Sequence, residues 1–246
     1  MSRLAGKRAL VTGASRGIGA AIAQQLAAEG ADVAITYERS AEKAASVVKA
    51  IEALGRKGAA IAADSADPAA VKRSVDQAAQ ALGGLDILVN NAGIYRGGPV
   101  EDWSLADIDT IMAVNIRAVV LASQAAAAHL GEGGRIISIG SCLADRVVEP
   151  NVTLYAMTKA ALIGFTKGLA RDLGPRGITV NLGHPGSTDT DMNPADGPRA
   201  AAQLARMAIP AYGKPQDIAA AVAYLASEEG RFITGAGLAV DGGVNT

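Results

Sequence analysis

This sequence is short of reactive and charged specialists. Among its 246 residues there is one cysteine, Cys142, and there are two histidines, His129 and His184. A single cysteine excludes an internal disulfide framework and any multi-cysteine metal centre. It also fits a reducing compartment, so the expected location is cytoplasmic. With two histidines, a histidine-rich metal site or a Ser-His-Asp hydrolase is hard to build, and no metal is expected. Charge of either sign is lacking too: 23 Lys and Arg face 24 Asp and Glu, a formal net charge of −1. There is no basic stripe, which argues against nucleic acid as a partner. No apolar run reaches the length of a bilayer span. The first strand-like run begins near Arg8, leaving no room for a signal peptide, so no membrane partner is expected either.

What the chain has is apolar mass, 50% of its residues, ample for one α/β domain with a large core. Strand-like runs alternate with helix-like runs from end to end. Strands are expected at 9–12, 32–36, 58–63, 85–89, 135–139, 178–181 and 237–240, with helices at about 41–54, from Pro68, and at 105–130. Short apolar strands separated by helices imply right-handed crossovers and a parallel sheet covered on both faces. No linker or repeat interrupts the pattern, so residues 1–246 read as a single domain. The stretch from Pro194 to Pro198 is the least regular.

In such sheets ligands bind beyond the carboxyl ends of the strands, and the distinctive residues gather there. After the first strand comes Thr12-Gly13-Ala14-Ser15-Arg16-Gly17-Ile18-Gly19, leading into a helix. Gly13 permits a tight turn, while Gly17 and Gly19 permit close backbone approach and close helix packing. The free N–H groups of the helix start, at its positive dipole end, suit a pyrophosphate. The spacing Gly-x-x-x-Gly-x-Gly departs from the commoner Gly-x-Gly-x-x-Gly. Asp64 follows strand three, Asn90 strand four, Ser141 strand five and Pro185-Gly186 strand six.

Tyr155 and Lys159 are four residues apart, and Ser141 lies fourteen residues before the tyrosine. On a helix, side chains at i and i+4 share a face. A cation near a phenol favours the phenolate, and bringing a tyrosine from about 10 to near 7 needs roughly 4 kcal/mol. Such a tyrosine can exchange a proton with a carbonyl oxygen at neutral pH. Tyr-x-x-x-Lys occurs on many surface helices by chance, so its weight comes from the motifs upstream.

With Thr12 to Gly19, Asn90-Asn91-Ala92-Gly93, Asn115, Ser141, Tyr155-x-x-x-Lys159 and Pro185-Gly186 assembled, the chain resembles the short-chain dehydrogenase/reductase family over essentially its full length. The resemblance implies a Rossmann-like doubly wound sheet, a nicotinamide cofactor, and hydride transfer to a carbonyl or from an alcohol. It implies Tyr155 as general acid, Ser141 polarising the carbonyl, and Lys159 lowering the tyrosine pKa and holding the nicotinamide ribose. Asn115 would help position a water leading to Lys159; taken alone, it reads as a buried amide or a helix kink. Asp64 would bond the adenine amino group, where the plain alternative is a turn residue. Gly13, Ser15, Arg16, Gly17, Ile18, Gly19, Tyr37, Arg39, Ser65, Asn90, Asn91, Ala92, Gly93, Pro185, Gly186 and Thr188 complete the expected cofactor site, with Thr188 on the carboxamide. Ile137 and Val180 read as core.

An acidic residue at the end of strand two selects NAD, whereas cations accommodate the 2′-phosphate of NADP. Here the strand ends Thr36-Tyr37-Glu38-Arg39-Ser40, with Tyr37 where the family's NAD-selecting aspartate usually sits. Arg16 and Arg39 favour NADP(H) over NAD(H), and Glu38 speaks against it. The expected substrate is a small free ketone or secondary alcohol, because Glu132 and its glycine neighbours give a carrier protein no cationic surface. Arg176 keeps open the alternative of a 3-oxoacyl carrier-protein reductase of fatty-acid synthesis. A nucleotide-binding regulatory module and a structural subunit are the competing classes. Arg146, Met192 and Asn193 are candidate pocket walls. Cys142 reads as a small apolar filler. His184 would shape the strand-six turn, His129 would meet solvent or a helix dipole, and Trp103 would anchor the following helix. Small apolar residues on the long helix (Ala118, Ala122, Ala125, Ala126) and Leu162, Phe165 and Leu169 on the Tyr155 helix suggest a homotetramer paired through these helices.

Overall fold

In the computed structural model, which describes residues 2–246, the apolar runs form seven strands: β1 (Arg8–Val11), β2 (Asp32–Tyr37), β3 (Gly58–Ala62), β4 (Ile87–Asn90), β5 (Arg135–Ile139), β6 (Thr179–Pro185) and β7 (Gly237–Val240). All pairings are parallel, and the sheet order is β3-β2-β1-β4-β5-β6-β7. The order reverses beside β1, so β1 and β4 diverge to opposite sides and leave a crevice at their carboxyl ends. The helices are α1 (Gly17–Ala28), α2 (Ala41–Ala53), α3 (Pro68–Leu82), α4 (Leu105–Met112), α5 (Ala118–His129), α6 (Thr153–Leu173), α7 (Ala200–Leu204) and α8 (Pro215–Ala226).

Alternation along each strand divides the core into two layers. In β1, Ala9 and Val11 face the layer that holds Ile22 and Leu26 of α1 and Ile218 and Val222 of α8. Leu10 faces the other, with Val75 and Leu82 of α3, Ala118, Ala122 and Ala126 of α5, and Leu173 of α6. β4 and β5 are buried throughout, as expected of strands covered on both faces. Local chemistry sets the helix ends. The Asp67 carboxylate accepts from Ala69 N at 2.8 Å ahead of Pro68, and Gly83, at φ +80°, closes α3. This is the usual cap, proline and left-handed glycine sequence of a helix.

The structure departs from the sequence pattern in several places. The expected helix 105–130 is interrupted by a π-helical turn, Ala113–Arg117, between α4 and α5. Taken together, Leu105–His129 is long and apolar enough to cross a bilayer, contrary to the expectation that no run was; half of its most apolar window is buried. Ala118, Ala122 and Ala126 belong to the core layer under α3, while Val119 packs with Leu162 and Leu182. β4 starts two residues later than expected, and β6 runs on through His184 and Pro185. Ala118, Ala122, Ala126 and Leu162 are core residues rather than surface ones. The exposed apolar side chains along these helices are instead Leu105, Met112, Val120 and Met157.

Candidate active site

The crevice is built first from backbone. Gly13 and Gly17 adopt φ of +62° and +56°, the left-handed region that favours glycine. Gly13 N donates to Thr36 Oγ1 at 2.9 Å, tying the turn to β2. Asn91 locks the other side: its Nδ2 donates to Thr12 O at 2.9 Å and Gly13 O at 3.1 Å. The Thr12 hydroxyl accepts from the backbone N–H groups of Asn91 and Ala92 at 3.0 and 3.1 Å. A Cβ on Gly19 would fall 2.4 Å from Asn91 Nδ2 and 2.9 Å from Ala14 Cα, so only glycine fits there. Arg16, the N-cap residue of α1, makes no side-chain cap bond, and the first turn has no acidic residue. The leading amides of α1 are thus left for an outside anion. This arrangement fits the pyrophosphate of a dinucleotide.

Across the crevice stands a side-chain cluster. Ser141 follows β5, and its Oγ accepts from Leu143 N at 3.2 Å. Its carbonyl oxygen lies 2.8 Å from Nδ1 of His184, which is buried inside β6. His184 therefore braces the serine segment rather than shaping a turn after the strand. Tyr155 and Lys159 rise from one face of α6, with the Lys159 ammonium 5.7 Å from the Tyr155 ring centroid. Lys159 is 4% exposed, and its Nζ donates to Ile139 O at 2.8 Å. Asn115 sits on the π-helical turn, where its Oδ1 accepts from Ile94 N at 2.9 Å. Its Nδ2 donates to Ile94 O at 2.9 Å and to Thr158 Oγ1 at 3.0 Å. The side-chain amide of Asn115 is thus used up in holding the segment after β4 against α6. Gly93 lies beside both groups: a Cβ there would be 3.4 Å from Asn115 Oδ1 and from Lys159 Nζ.

Burial governs the electrostatics. It pushes Tyr155 up to about 12, against the pull of its hydrogen bond with Ser141. It pushes Lys159 down to about 8. In this resting site desolvation of the phenol outweighs the pull expected of the Lys159 ammonium, which uses one of its three N–H donors on Ile139 O. Tyr155 is therefore a protonated phenol at neutral pH, the form an acid needs. Burial also lifts the Cys142 thiol to about 11, which leaves it un-ionised and without nucleophilic character.

The remaining expected residues divide. Ile18, Tyr37, Ser65 and Ala92 are half-buried, and Ser15, Pro185, Gly186 and Thr188 stand on the same carboxyl edge of the sheet. Thr188 is buried, and its hydroxyl donates to Gly186 O at 3.1 Å. Asp64 Oδ1 accepts from Ala66 N at 2.7 Å, a local turn bond. Asn90 leaves the crevice altogether: its Nδ2 donates into the core to Ser123 and Ser138. Arg39 pairs with its neighbour on the surface, with Nε 2.7 Å from Glu38 Oε1. Arg176 caps α5, donating to Ala127 O and Leu130 O, both at 2.7 Å. His129 pairs with Asp76 at 2.7 Å, and Trp103 Nε1 ties back to Gly98 O at 3.0 Å rather than forward. Of the candidate walls, Asn193 donates to Gln203, Arg146 reaches Thr246 O, and Met192 is exposed.

One wall escaped the sequence reading. The Tyr95 ring packs on Tyr155 with centroids 5.3 Å apart at 54°, and the Arg199 guanidinium lies over the Tyr95 ring, 5.3 Å from its centroid. In a chain with 3% aromatic residues, a tyrosine two positions after the Asn-Asn-Ala-Gly motif was the available signal.

The family model described as Enoyl-(Acyl carrier protein) reductase matches residues 13–245. A short chain dehydrogenase from Burkholderia cenocepacia J2315, solved in complex with NADP, is 68% identical, with a TM-score of 0.98, over 99% of this chain and 100% of that one. The cyclic-di-GMP-binding biofilm dispersal mediator protein of Escherichia coli (strain K12) is 43% identical over 98% of both chains. A 3-oxoacyl acyl-carrier-protein reductase of Staphylococcus aureus (strain Mu50) is 41% identical over 97% of this chain and 98% of its own length.

Proposed function

Since the chain belongs to the short-chain dehydrogenase/reductase family, we propose that it transfers a hydride between NADP(H) and a small free ketone or secondary alcohol, with Tyr155 as general acid and base. The observation that carries this reading is the meeting of Ser141, Tyr155, Lys159 and the Asn115 clamp opposite an uncapped helix start. A dinucleotide held on the glycine-rich turn supplies the hydride.

Tyr155 gives its phenolic proton to the carbonyl oxygen in reduction and takes it back in oxidation. Ser141, close enough to the phenol to pull against its raised pKa, donates to the same oxygen and steadies its developing charge. Lys159, held in place by Ile139 O, orients the nicotinamide ribose and stabilises the phenolate left after transfer. Asn115 fixes the backbone after β4 against α6. Tyr95 and Arg199 wall the substrate side. The NADP complex of the Burkholderia relative supports the phosphorylated cofactor, and so does Arg16. Glu38, which argued for NAD, is engaged by Arg39.

The homotetramer is part of this proposal. Leu105, Met112, Val120 and Met157 are exposed apolar residues on α4, α5 and α6, and Phe232 and Leu238 are exposed in and before β7; we take these as two candidate contact faces. Two separate faces give the two kinds of two-fold contact of a D₂ assembly. The free Cys142 suits a reducing cytoplasmic location.

The deciding experiment is kcat/KM with NADPH for a panel of free cyclic and aryl ketones against a carrier-bound 3-oxoacyl thioester. Free ketones are expected to be turned over without help from a carrier, since Arg176 is occupied capping α5. A hundredfold advantage for the thioester would overturn the choice and favour the activity named for the Staphylococcus relative. Dinucleotide binding with no turnover of either class would favour a regulatory module.

A further inference from the structure

Two cations near the glycine-rich turn meet at one point. Arg16 stands immediately before α1, and Lys43 stands in the first turn of α2. Although they come from separate elements, Arg16 Nη1 lies 3.3 Å and Lys43 Nζ 3.5 Å from the same oxygen, Asp191 Oδ2. Asp191 belongs to the loop that joins β6 to α7, far from both in sequence. Lys43 first, and then Arg16, hold its carboxyl below the usual carboxylate range. All three side chains are more than half exposed, so no burial forces the carboxylate into place; charge brings it there. Exposed pairs of this kind are individually weak and exchangeable. Arg39, the other cation after β2, is already met by Glu38. The loop also runs beside the turn: a Cβ on Gly17 would lie 3.6 Å from Thr190 Cγ2.

Two cations converging on one oxygen from different elements make an anion site, and here the protein's own carboxylate fills it. We propose that Arg16 and Lys43 together read the 2′-phosphate of the cofactor, and that Asp191 is an internal competitor that the phosphate displaces, releasing the loop around Asp191 from the nucleotide half. The inference rests on the NADP(H) reading above and adds Lys43 and Asp191 to it. A phosphate monoester carries roughly −1.5 to −2 charge and three strong acceptor oxygens, against one charge and two oxygens for the carboxylate. It therefore wins the exchange once the rest of the dinucleotide delivers it. A dinucleotide without that phosphate leaves Asp191 where it is. The same group thus serves as an affinity determinant and as the signal that frees the Asp191 stretch of the loop leading to Arg199.

The test is binding to the resting protein without ketone, by fluorescence titration of NADPH and NADH. Lys43→Gln is expected to weaken NADPH by about 5–20-fold, the scale of one lost charge-assisted contact, and to leave NADH within about twofold. Asp191→Asn is expected to tighten NADPH by about 2–5-fold, the scale of a weak exposed ion pair, with NADH unchanged. In the double variant the gain from Asp191→Asn should shrink, because the two sites are coupled. Weaker NADPH binding by Asp191→Asn, or equal shifts for both cofactors in either variant, would overturn the inference. If the wild type binds NADPH but neither variant alters it, only this inference falls. If the wild type binds neither dinucleotide, the NADP(H) reading falls with it.

Discussion

The two halves of the sheet prepare for a ligand with different materials. On the side of β1 to β4 the preparation is almost all backbone: left-handed glycines, uncapped amides, and Thr12 and Asn91 bonded to main-chain atoms. On the side of β5 to β7 it is side chains. A phenol, an ammonium and a hydroxyl are placed by α6 and by the turn after β5, and burial shifts the first two. A backbone site recognises shape and tolerates no added volume. A side-chain site does chemistry, and it can lose its function while keeping its shape. Substitutions in the two halves should therefore fail in different ways.

The largest effect belongs to the chemical half. Tyr155→Phe keeps the ring against Tyr95 and removes only the acid, so turnover should fall about 10²–10⁴-fold while NADPH affinity stays within about twofold. More than about a tenth of wild-type turnover in steady-state assay would take the role from Tyr155. The converse is expected from Gly19→Val. Its side chain would collide with Asn91 and with the Ala14 backbone, so NADPH and NADH binding should be lost together, with a stability loss of about 1–3 kcal/mol for overpacking. Titration of both cofactors and urea unfolding read these effects. Selective loss of one cofactor would break the contrast between the halves.

Lys159 sharpens the comparison through pH. Its folded pKa of about 8 lies below its ordinary 10.5. Between those values the unfolded chain binds more protons, so this group makes stability rise with pH through that window. Below 8 its buried charge costs up to about 3 kcal/mol. Tyr155 acts oppositely: raised from 10 to about 12, it makes stability fall as pH climbs through that range. Chemical unfolding from pH 7 to 10 should show a rise that Lys159→Met flattens; an unchanged slope would show that the ammonium is not the source. The smallest effect is Arg176→Ala. Losing its bonds to the end of α5 should lower stability by about 1 kcal/mol or less and leave ketone kinetics alone. A selective loss with a carrier-bound thioester would instead return Arg176 to the docking role considered from the sequence.

The sheet was legible because parallel strands buried on both faces must be apolar runs, and Leu10, Leu88 and Ile136 sit in such runs. The glycine-rich turn was legible because backbone sites constrain residue type directly. Tyr155 and Lys159 were legible because helical spacing is local. The break at Asn115 was legible only as a helix kink or a buried amide, and not as a π-helical turn, since no residue type marks the shift from one helical ladder to another. Tyr95, Arg199, Lys43 and Asp191 escaped notice for a common reason: their partners lie in other elements and meet them only after folding. The same holds for Arg39 and Arg176, whose carboxylate or carbonyl partners decide whether they are free to bind anything else.

The packing of α1 against α8 has a consequence for how the chain is made. Ile22 and Leu26 share a core layer with Ile218 and Val222, so the glycine-rich turn is backed by a helix from the opposite end of the sequence. At about 5–20 residues per second, a ribosome takes roughly 10–40 s to go from α1 to α8. Throughout that interval the apolar face of α1 lacks its final cover. The nascent chain should therefore spend synthesis as a client of holding chaperones, and nucleotide should bind and stabilise it only near release.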